Sequence, residues 1–149
     1  MHKMTNDRPP IPTRTDFVHF HSLPTRWMDN DVYGHVNNVT YYSYIDTAVN
    51  RFLIEEAGLD FVAGRNVFIV VETRCRYHSA FTYPEQIDVG LAIGRLGGSS
   101  VEYAIGLFGA GEDLARADAH YVHVCVERAT MRPTPMPDHF RSPLSRLLR

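Results

Sequence analysis

Residues 26–38 read Arg-Trp-Met-Asp-Asn-Asp-Val-Tyr-Gly-His-Val-Asn-Asn and hold the densest set of chemically capable side chains in the chain. Asp29, Asp31, His35, Asn37 and Asn38 stand together immediately before the strongest helical pattern. A carboxylate in such a place can attack a carbonyl carbon or take a proton from water. The first backbone N–H groups of a helix have no intrahelical partner and carry the positive end of the helix dipole. They can bind an anion or polarise a carbonyl oxygen. Together these are the parts needed to hydrolyse an acyl compound. The same residue types also build turns and caps by backbone hydrogen bonding alone, and Gly34 suits a positive φ. Composition by itself favours that structural reading.

The elements that must position this cluster follow from periodicity. Phe17–Leu23 alternates and predicts a first strand ending near Pro24. Tyr41–Ala57 is a helix: Tyr41, Ile45, Ala48 and Phe52 keep helical spacing, and Tyr42, Val49 and Leu53 widen the stripe. Asn37, Asn38 and Thr40 offer N-terminal caps and Gly58 a stop. So wide an apolar face predicts a helix wrapped by a sheet. Beyond it the period becomes two, giving strands over Val67–Tyr77, Ile87–Ile93, Val101–Leu107 and Leu114–Glu127. Their short connections predict antiparallel pairing, and the order strand, helix, four strands predicts an α+β domain. Residues 1–15 read as a flexible leader, 16–137 as the domain and 138–149 as a C-terminal tail. Within these ends, Met131–Pro137 is expected extended and Ser142–Arg149 is expected as a short basic helix.

Composition narrows the function. The 149 residues carry 15 Lys+Arg against 17 Asp+Glu, so no basic excess is available to hold a nucleic acid. No apolar run is long enough to span a bilayer, and no signal-peptide pattern opens the chain. A cytoplasmic location is therefore expected. Cys75 and Cys125 do not make a disulfide framework. His19 with His21, and His120 with His123, raise a metal reading, but no carboxylate or thiol completes a ligand set at zinc-like spacing. Asp46 lies inside the helix and needs a partner if buried, for which Arg51 is one choice. Arg95 and the Gly97-Gly98-Ser99-Ser100 turn form a candidate anion site, because N–H groups in such turns can hold phosphates.

Asp31-Val32-Tyr33-Gly34-His35-Val36-Asn37-Asn38-Val39-Thr40-Tyr41, preceded by Arg26 and Asp29, resembles the D-x-D-x-x-G-H-V-N-N-x-x-Y signature of hotdog-fold acyl thioesterases. These belong to the 4-hydroxybenzoyl-CoA thioesterase-like superfamily, and the resemblance covers residues 16–137. It implies a hotdog fold: one long central helix wrapped by a curved antiparallel sheet of about five strands. It implies a homodimer or homotetramer, and thioester substrates on coenzyme A or an acyl carrier protein. The catalytic carboxylate of the 4-hydroxybenzoyl-CoA thioesterases matches Asp31. The backbone N–H that polarises their thioester carbonyl falls at about Asn38, and a coenzyme-A-contacting Arg matches Arg132. Plant acyl-ACP thioesterases are similar around Asp-x-Asn-x-His-Val-Asn-Asn. Asp31 and His35 match two of their functional residues, while Tyr33 stands in place of their middle Asn. The bacterial 4-hydroxybenzoyl-CoA group generally lacks the His.

The resulting expectation is an acyl-CoA thioesterase. Asp31 is its nucleophile or general base, His35 orients water or stabilises charge, and the Asn38 N–H receives the oxyanion. Asp29 shapes the turn and pairs with Arg26. Arg132, with Arg95 and Ser99, holds the coenzyme A phosphates. Coenzyme A enters as part of the substrate, with no metal and no resident cofactor, and no nucleic-acid or membrane partner. An acyl-ACP thioesterase is the enzymatic rival, and Arg26, Arg51, Arg74 and Arg76 would then ring the tunnel mouth to meet an acidic carrier. A non-catalytic acyl-CoA-binding hotdog protein is the rival from another class.

Overall fold

Alternating apolar residues on five strands need a common partner, and the long helix supplies it. The structure, a computed structural model, describes residues 8–149. Its order is β1 (His19–Pro24), α1 (Thr40–Ala57), β2 (Asn66–Tyr77), β3 (Gln86–Leu96), β4 (Ser100–Gly109), β5 (Ala117–Glu127) and α2 (Asp138–Ser145). The strands form one sheet in the order β1-β3-β4-β5-β2, with every neighbouring pair antiparallel. β2 and β3 are consecutive in the chain yet separated in the sheet, so the segment joining them crosses the sheet end. One face of the sheet wraps α1, which buries Tyr41, Tyr44, Ile45, Ala48, Val49, Phe52, Leu53 and Ala57. Each fully buried Ile, Leu or Phe there contributes about 1.5–3 kcal/mol relative to an exposed position. This is the hotdog fold expected from the sequence, and the strands and helix match their predicted spans to within a few residues.

The chain ends depart from expectation. Residues 1–7 of the expected leader lie outside the described residues. Its inner end is docked: Thr13 bridges Leu114, Arg14–Asp16 form a 3-10 turn, and Arg14 pairs with Asp88 at 2.8 Å. The cause is a second, smaller core on the outer face, made of Phe17, Ala92, Phe108 and Ala115, with Phe20 against it. Phe17 lies over the paired Gly90 and Gly106, where a Cβ on Gly106 would stand 2.5 Å from its ring. At the other end the helix begins at Asp138, four residues before the expected tail helix. Phe140, Leu144 and Leu147 join the main core, and the chain then bridges β3 at Ile93–Leu148. The apolar spacing of the tail, masked by its basic residues, completes the domain.

One buried carboxylate ties the chemically rich loop to α1. Asp29 closes a 3-10 turn and is 2% exposed. Its Oδ2 accepts from the Arg26 N–H at 2.8 Å and from the Tyr44 hydroxyl at 2.6 Å, and its Oδ1 meets the Arg26 guanidinium at 2.9 Å. Burial alone would raise its pKa, but the bonds from Tyr44 and Arg26 outweigh burial and hold it below the usual value. The sequence expectation that Asp29 shapes the turn and pairs with Arg26 is met; the Tyr44 bond was not foreseen. The carbonyl of Asp29 also accepts from Asn37 N–H at 2.9 Å, which clips the loop shut.

Two outcomes follow for stability. Tyr44→Phe leaves Asp29 short of a donor and should cost about 1.5–3 kcal/mol at neutral pH, measured by urea denaturation. The folded pKa of Asp29 is lowered, so its stabilisation is complete above the unfolded value of 3.8 and is lost as pH falls through the folded value. The gap between Tyr44→Phe and the parent should therefore shrink in acid. Gly106→Ala drives a methyl into Phe17 and should cost about 1–3 kcal/mol, with a matching drop in melting temperature.

Candidate active site

The loop from Asn30 to Val36 is a short β-turn excursion whose ends bridge each other. Asp31 N–H donates to His35 O at 2.9 Å, and Gly34 N–H donates to Asp31 O at 3.1 Å. Gly34 has a φ of 82°, which the turn requires and which a side chain would oppose. The Asp31 Oδ1 accepts from Tyr33 N–H at 2.9 Å, fixing the carboxylate's rotamer. Oδ2 makes no hydrogen bond to a described residue. The loop is stitched to the β2–β3 connection by three bonds. Thr82 Oγ1 donates to Gly34 O at 2.8 Å, Val36 N–H donates to Phe81 O at 2.9 Å, and Tyr83 N–H donates to Asn30 Oδ1 at 3.1 Å.

At the start of α1 the capping pattern leaves one donor unused. Val39 N–H is taken by Asn37 Oδ1 at 3.1 Å and Thr40 N–H by Asn37 O at 2.9 Å. The Asn38 N–H meets no acceptor among the described residues. Its position is nonetheless fixed on both sides, because the Asn38 carbonyl accepts from the Tyr77 hydroxyl at 2.9 Å. Asn37 therefore caps, as expected, whereas the Asn38 and Thr40 side chains do not.

Asp31, His35 and Asn38 line one cleft of about 360 Å³ with Val36, Tyr41, Tyr77, His78, Ser79 and Ala80. The first three were singled out from the sequence. Tyr77 to Ala80 were not, since they sit at the end of a strand some forty residues away and carry no local signal. His78 and Ser79 are held by their backbone, both donating to Arg116 O, at 2.8 and 3.1 Å. Arg116 in turn pairs with Glu85 and Glu112 and lies over the Phe81 ring. Beside the cleft the loop exposes an apolar rim of Trp27, Met28, Val32, Tyr33 and Val39.

The other singled-out residues stand apart. Tyr77 pairs with Ala117 at one end of β5, while Asn66 pairs with Glu127 at the other, eleven residues or about 33 Å along the strand. Asp31 belongs to the first end. Arg132 follows β5 at the second, where the β3–β4 turn also brings Arg95 and Ser99. The turn there is occupied by its own chain: Gly97 N–H bonds Ser100 O, and Arg141 donates to the carbonyls of Gly97 and Gly98. Asp46 is exposed and is bonded by the Tyr121 hydroxyl, while Arg51 pairs with Glu55. Arg51 is therefore not its partner. Tyr121 also meets His123, whose burial pushes its pKa down to about 4. His19 and His21 contact each other against Phe52, and no cluster of three or more metal-ligating side chains forms among the described residues. No helix there is long and apolar enough to cross a membrane.

Comparison with known proteins agrees with this geometry. The family model of the thioesterase-like superfamily matches residues 25–144. The crystal structure of the PA5185 protein from Pseudomonas aeruginosa strain PAO1 is 47% identical, covers 93% of this chain and 97% of its own, and superposes with a TM-score of 0.92. The PA2801 protein of Pseudomonas aeruginosa, described as a putative thioesterase, is 33% identical over 85% of this chain and 97% of its own, with a TM-score of 0.78. A 1,4-dihydroxy-2-naphthoyl-CoA thioesterase from Synechocystis shares the fold at 15% identity, covering 85% of this chain and 94% of its own, with a TM-score of 0.76. No curated protein matches the chain. With its signature loop closed over the start of α1 and its matched family spanning the fold, the chain belongs to the thioesterase-like superfamily of hotdog-fold thioester hydrolases.

Proposed function

We propose that this chain hydrolyses acyl-CoA thioesters to a carboxylic acid and free coenzyme A in the Asp31 cleft. The observation that carries the reading is the convergence of a rotamer-fixed carboxylate and an unused, rigidly held N–H donor in one cleft. The thioester carbonyl oxygen takes the Asn38 N–H, where the start of α1 supports developing negative charge. A preorganised donor of this kind is typically worth about 3–4 kcal/mol in the transition state. Asp31 supplies the attacking or basic oxygen, and His35 borders the same space. Coenzyme A as the carrier is supported by the Synechocystis relative, whose printed activity is on a CoA thioester. The basic ring that would suit an acidic carrier protein is not assembled. Arg26, Arg51, Arg74 and Arg76 pair with Asp29, Glu55, Glu72 and Asp118, and lie on different elements.

The distance between Asp31 and Arg132 fits this reading through a second copy of the chain. β2 is an edge of the sheet, twelve residues long, with Val70 and Val71 exposed. A long apolar edge with unpaired backbone groups is an association site. Pairing two β2 edges antiparallel about a two-fold axis sets the Arg132 end of one chain beside the Asp31 cleft of the other. The working unit on this reading is a homodimer, or a tetramer built from it, with the cations of one copy meeting the phosphates held at the other.

The decisive assay is thiol release over short, medium, long and aromatic acyl-CoAs. Asp31→Asn keeps the shape, removes the charge, and should lower kcat more than a hundredfold with the fold intact. Binding of acyl-CoA without turnover by the parent would instead establish the non-catalytic reading. Arg132→Ala should raise KM about tenfold and leave kcat nearly unchanged, since a charged hydrogen bond to phosphate is worth about 1.5–3 kcal/mol. Sedimentation of the parent should give at least a dimer.

A further inference from the structure

His78 is the one cleft residue that is both chemically able and deliberately oriented, although no sequence motif marks it. Its Nε2 lies 2.7 Å from Asp118 Oδ2. Asp118 is itself clamped by Arg76, with Nε to Oδ1 at 2.9 Å and Nη2 to Oδ2 at 2.7 Å. Arg76 and Asp118 face each other across the β2–β5 register, so the clamp is built into the sheet. A carboxylate can only accept, so the Nε2 carries the hydrogen and the neutral ring presents an Nδ1 lone pair. That Nδ1 makes no hydrogen bond to a described residue. The buried side-chain polar atoms left without a partner are Tyr103 Oη and His123 Nδ1, so the unpaired Nδ1 of His78 is reached by solvent. His78 lines the cleft that holds Asp31 and Asn38. The ring of His35 lines it too, but no described residue bonds and orients it.

A base held by a carboxylate, which is held in turn by a third group, is the arrangement used to activate a nucleophile. We propose that His78, positioned by Asp118 and Arg76, is the general base that admits water in the second half of the reaction, with Asp31 acting as the nucleophile in the first. The proposal rests on the thioesterase reading and divides its chemistry between two groups. Asp31 Oδ2 bonds to the thioester carbon, and the C–S electron pair leaves on sulfur as thiolate. The acyl group is then a mixed anhydride on Asp31. Water adds to the acyl carbon while its proton passes to His78 Nδ1. The bond from that carbon to the Asp31 oxygen breaks, and its electron pair restores the carboxylate. The product is the free acid, and the proton on His78 passes to solvent. Asp118 faces the imidazolium formed in this step and stabilises it, as a carboxylate does behind a catalytic histidine.

The test is rapid-mixing measurement of thiol release with an acyl-CoA that the parent turns over. It compares the parent with His78→Gln, Asp118→Asn and His35→Gln, each checked for a native circular dichroism spectrum. His78→Gln should release close to one thiol per cleft in a fast burst, then turn over about a hundredfold or more slower than the parent. Intact-mass spectrometry should show an acylated chain during that slow phase. Asp118→Asn should give the same burst with a milder slowing, and it stands in should His78→Gln fail to fold. His35→Gln should show no burst. Parent-like steady-state turnover in His78→Gln would overturn the proposal, as would slowing of burst and steady state together, and either leaves the thioesterase reading intact. No thiol release by the parent from any acyl-CoA would overturn the thioesterase reading itself, and this assignment with it.

Discussion

The buried carboxylate of Asp29 is the constraint on which the rest of the site depends. A charge removed from water is destabilising unless it is surrounded by donors. Here the donors come from two places: the turn that precedes the loop, through Arg26, and the first turns of α1, through Tyr44. Satisfying one carboxylate therefore fixes the entry of the loop against the helix that follows it. With that distance set, Asn37 N–H reaches Asp29 O, and the excursion carrying Asp31 and His35 has one path to follow. Losing a donor would leave the charge buried, so the joint is held by what would be lost on opening as much as by what is gained on closing.

Neighbouring interactions convert that joint into a chemically useful surface. Bonds from Thr82 and Tyr83 and to Phe81 O hold the loop on the crossover between β2 and β3, and Tyr77 bonds the Asn38 carbonyl. The crossover exists because β2 and β3 sit on different parts of the sheet, so the connection must pass its end. The wall opposite Asp31 is thus a consequence of strand order. It brings His78 and its Asp118–Arg76 support into a cleft whose other half was assembled locally. The same strand order leaves β2 as an edge and puts the far-end cations, Arg95 and Arg132, a full strand length from the carboxylate. One chain holds the reacting groups at one end and the phosphate-sized charges at the other.

Local sequence was a good guide wherever a single element decided the outcome. The helix from Tyr41 to Ala57 and the alternating runs of β3 and β4 are visible because one face of each is buried and the period of that face is written in consecutive residues. Asp31, His35 and Asn38 were legible for a related reason: they lie within eight residues, and a turn followed by a helix start brings them together unaided. The chain ends were misread because their fate depends on distant partners. Phe17 and Arg14 are ordered by a glycine pair and an acid in β3 and β4, and Phe140, Leu144 and Leu147 by the end of the main core. Asp46 was given the wrong partner because helical spacing points along α1, whereas its hydrogen bond comes from Tyr121 on β5.

What the sequence determined by itself is the set of elements and the half of the site that one turn and one helix terminus can build. Those depend on spacing of a few residues, where backbone geometry leaves little choice. What only the tertiary structure decided is which distant groups complete that half. Tyr77 and His78 reach the cleft because β2 ends where the loop begins, and Arg132 does not because β5 carries it away. A strand advances about 3.3 Å per residue, so its two ends lie too far apart to share a site, and only the pairing of strands settles which end meets which partner.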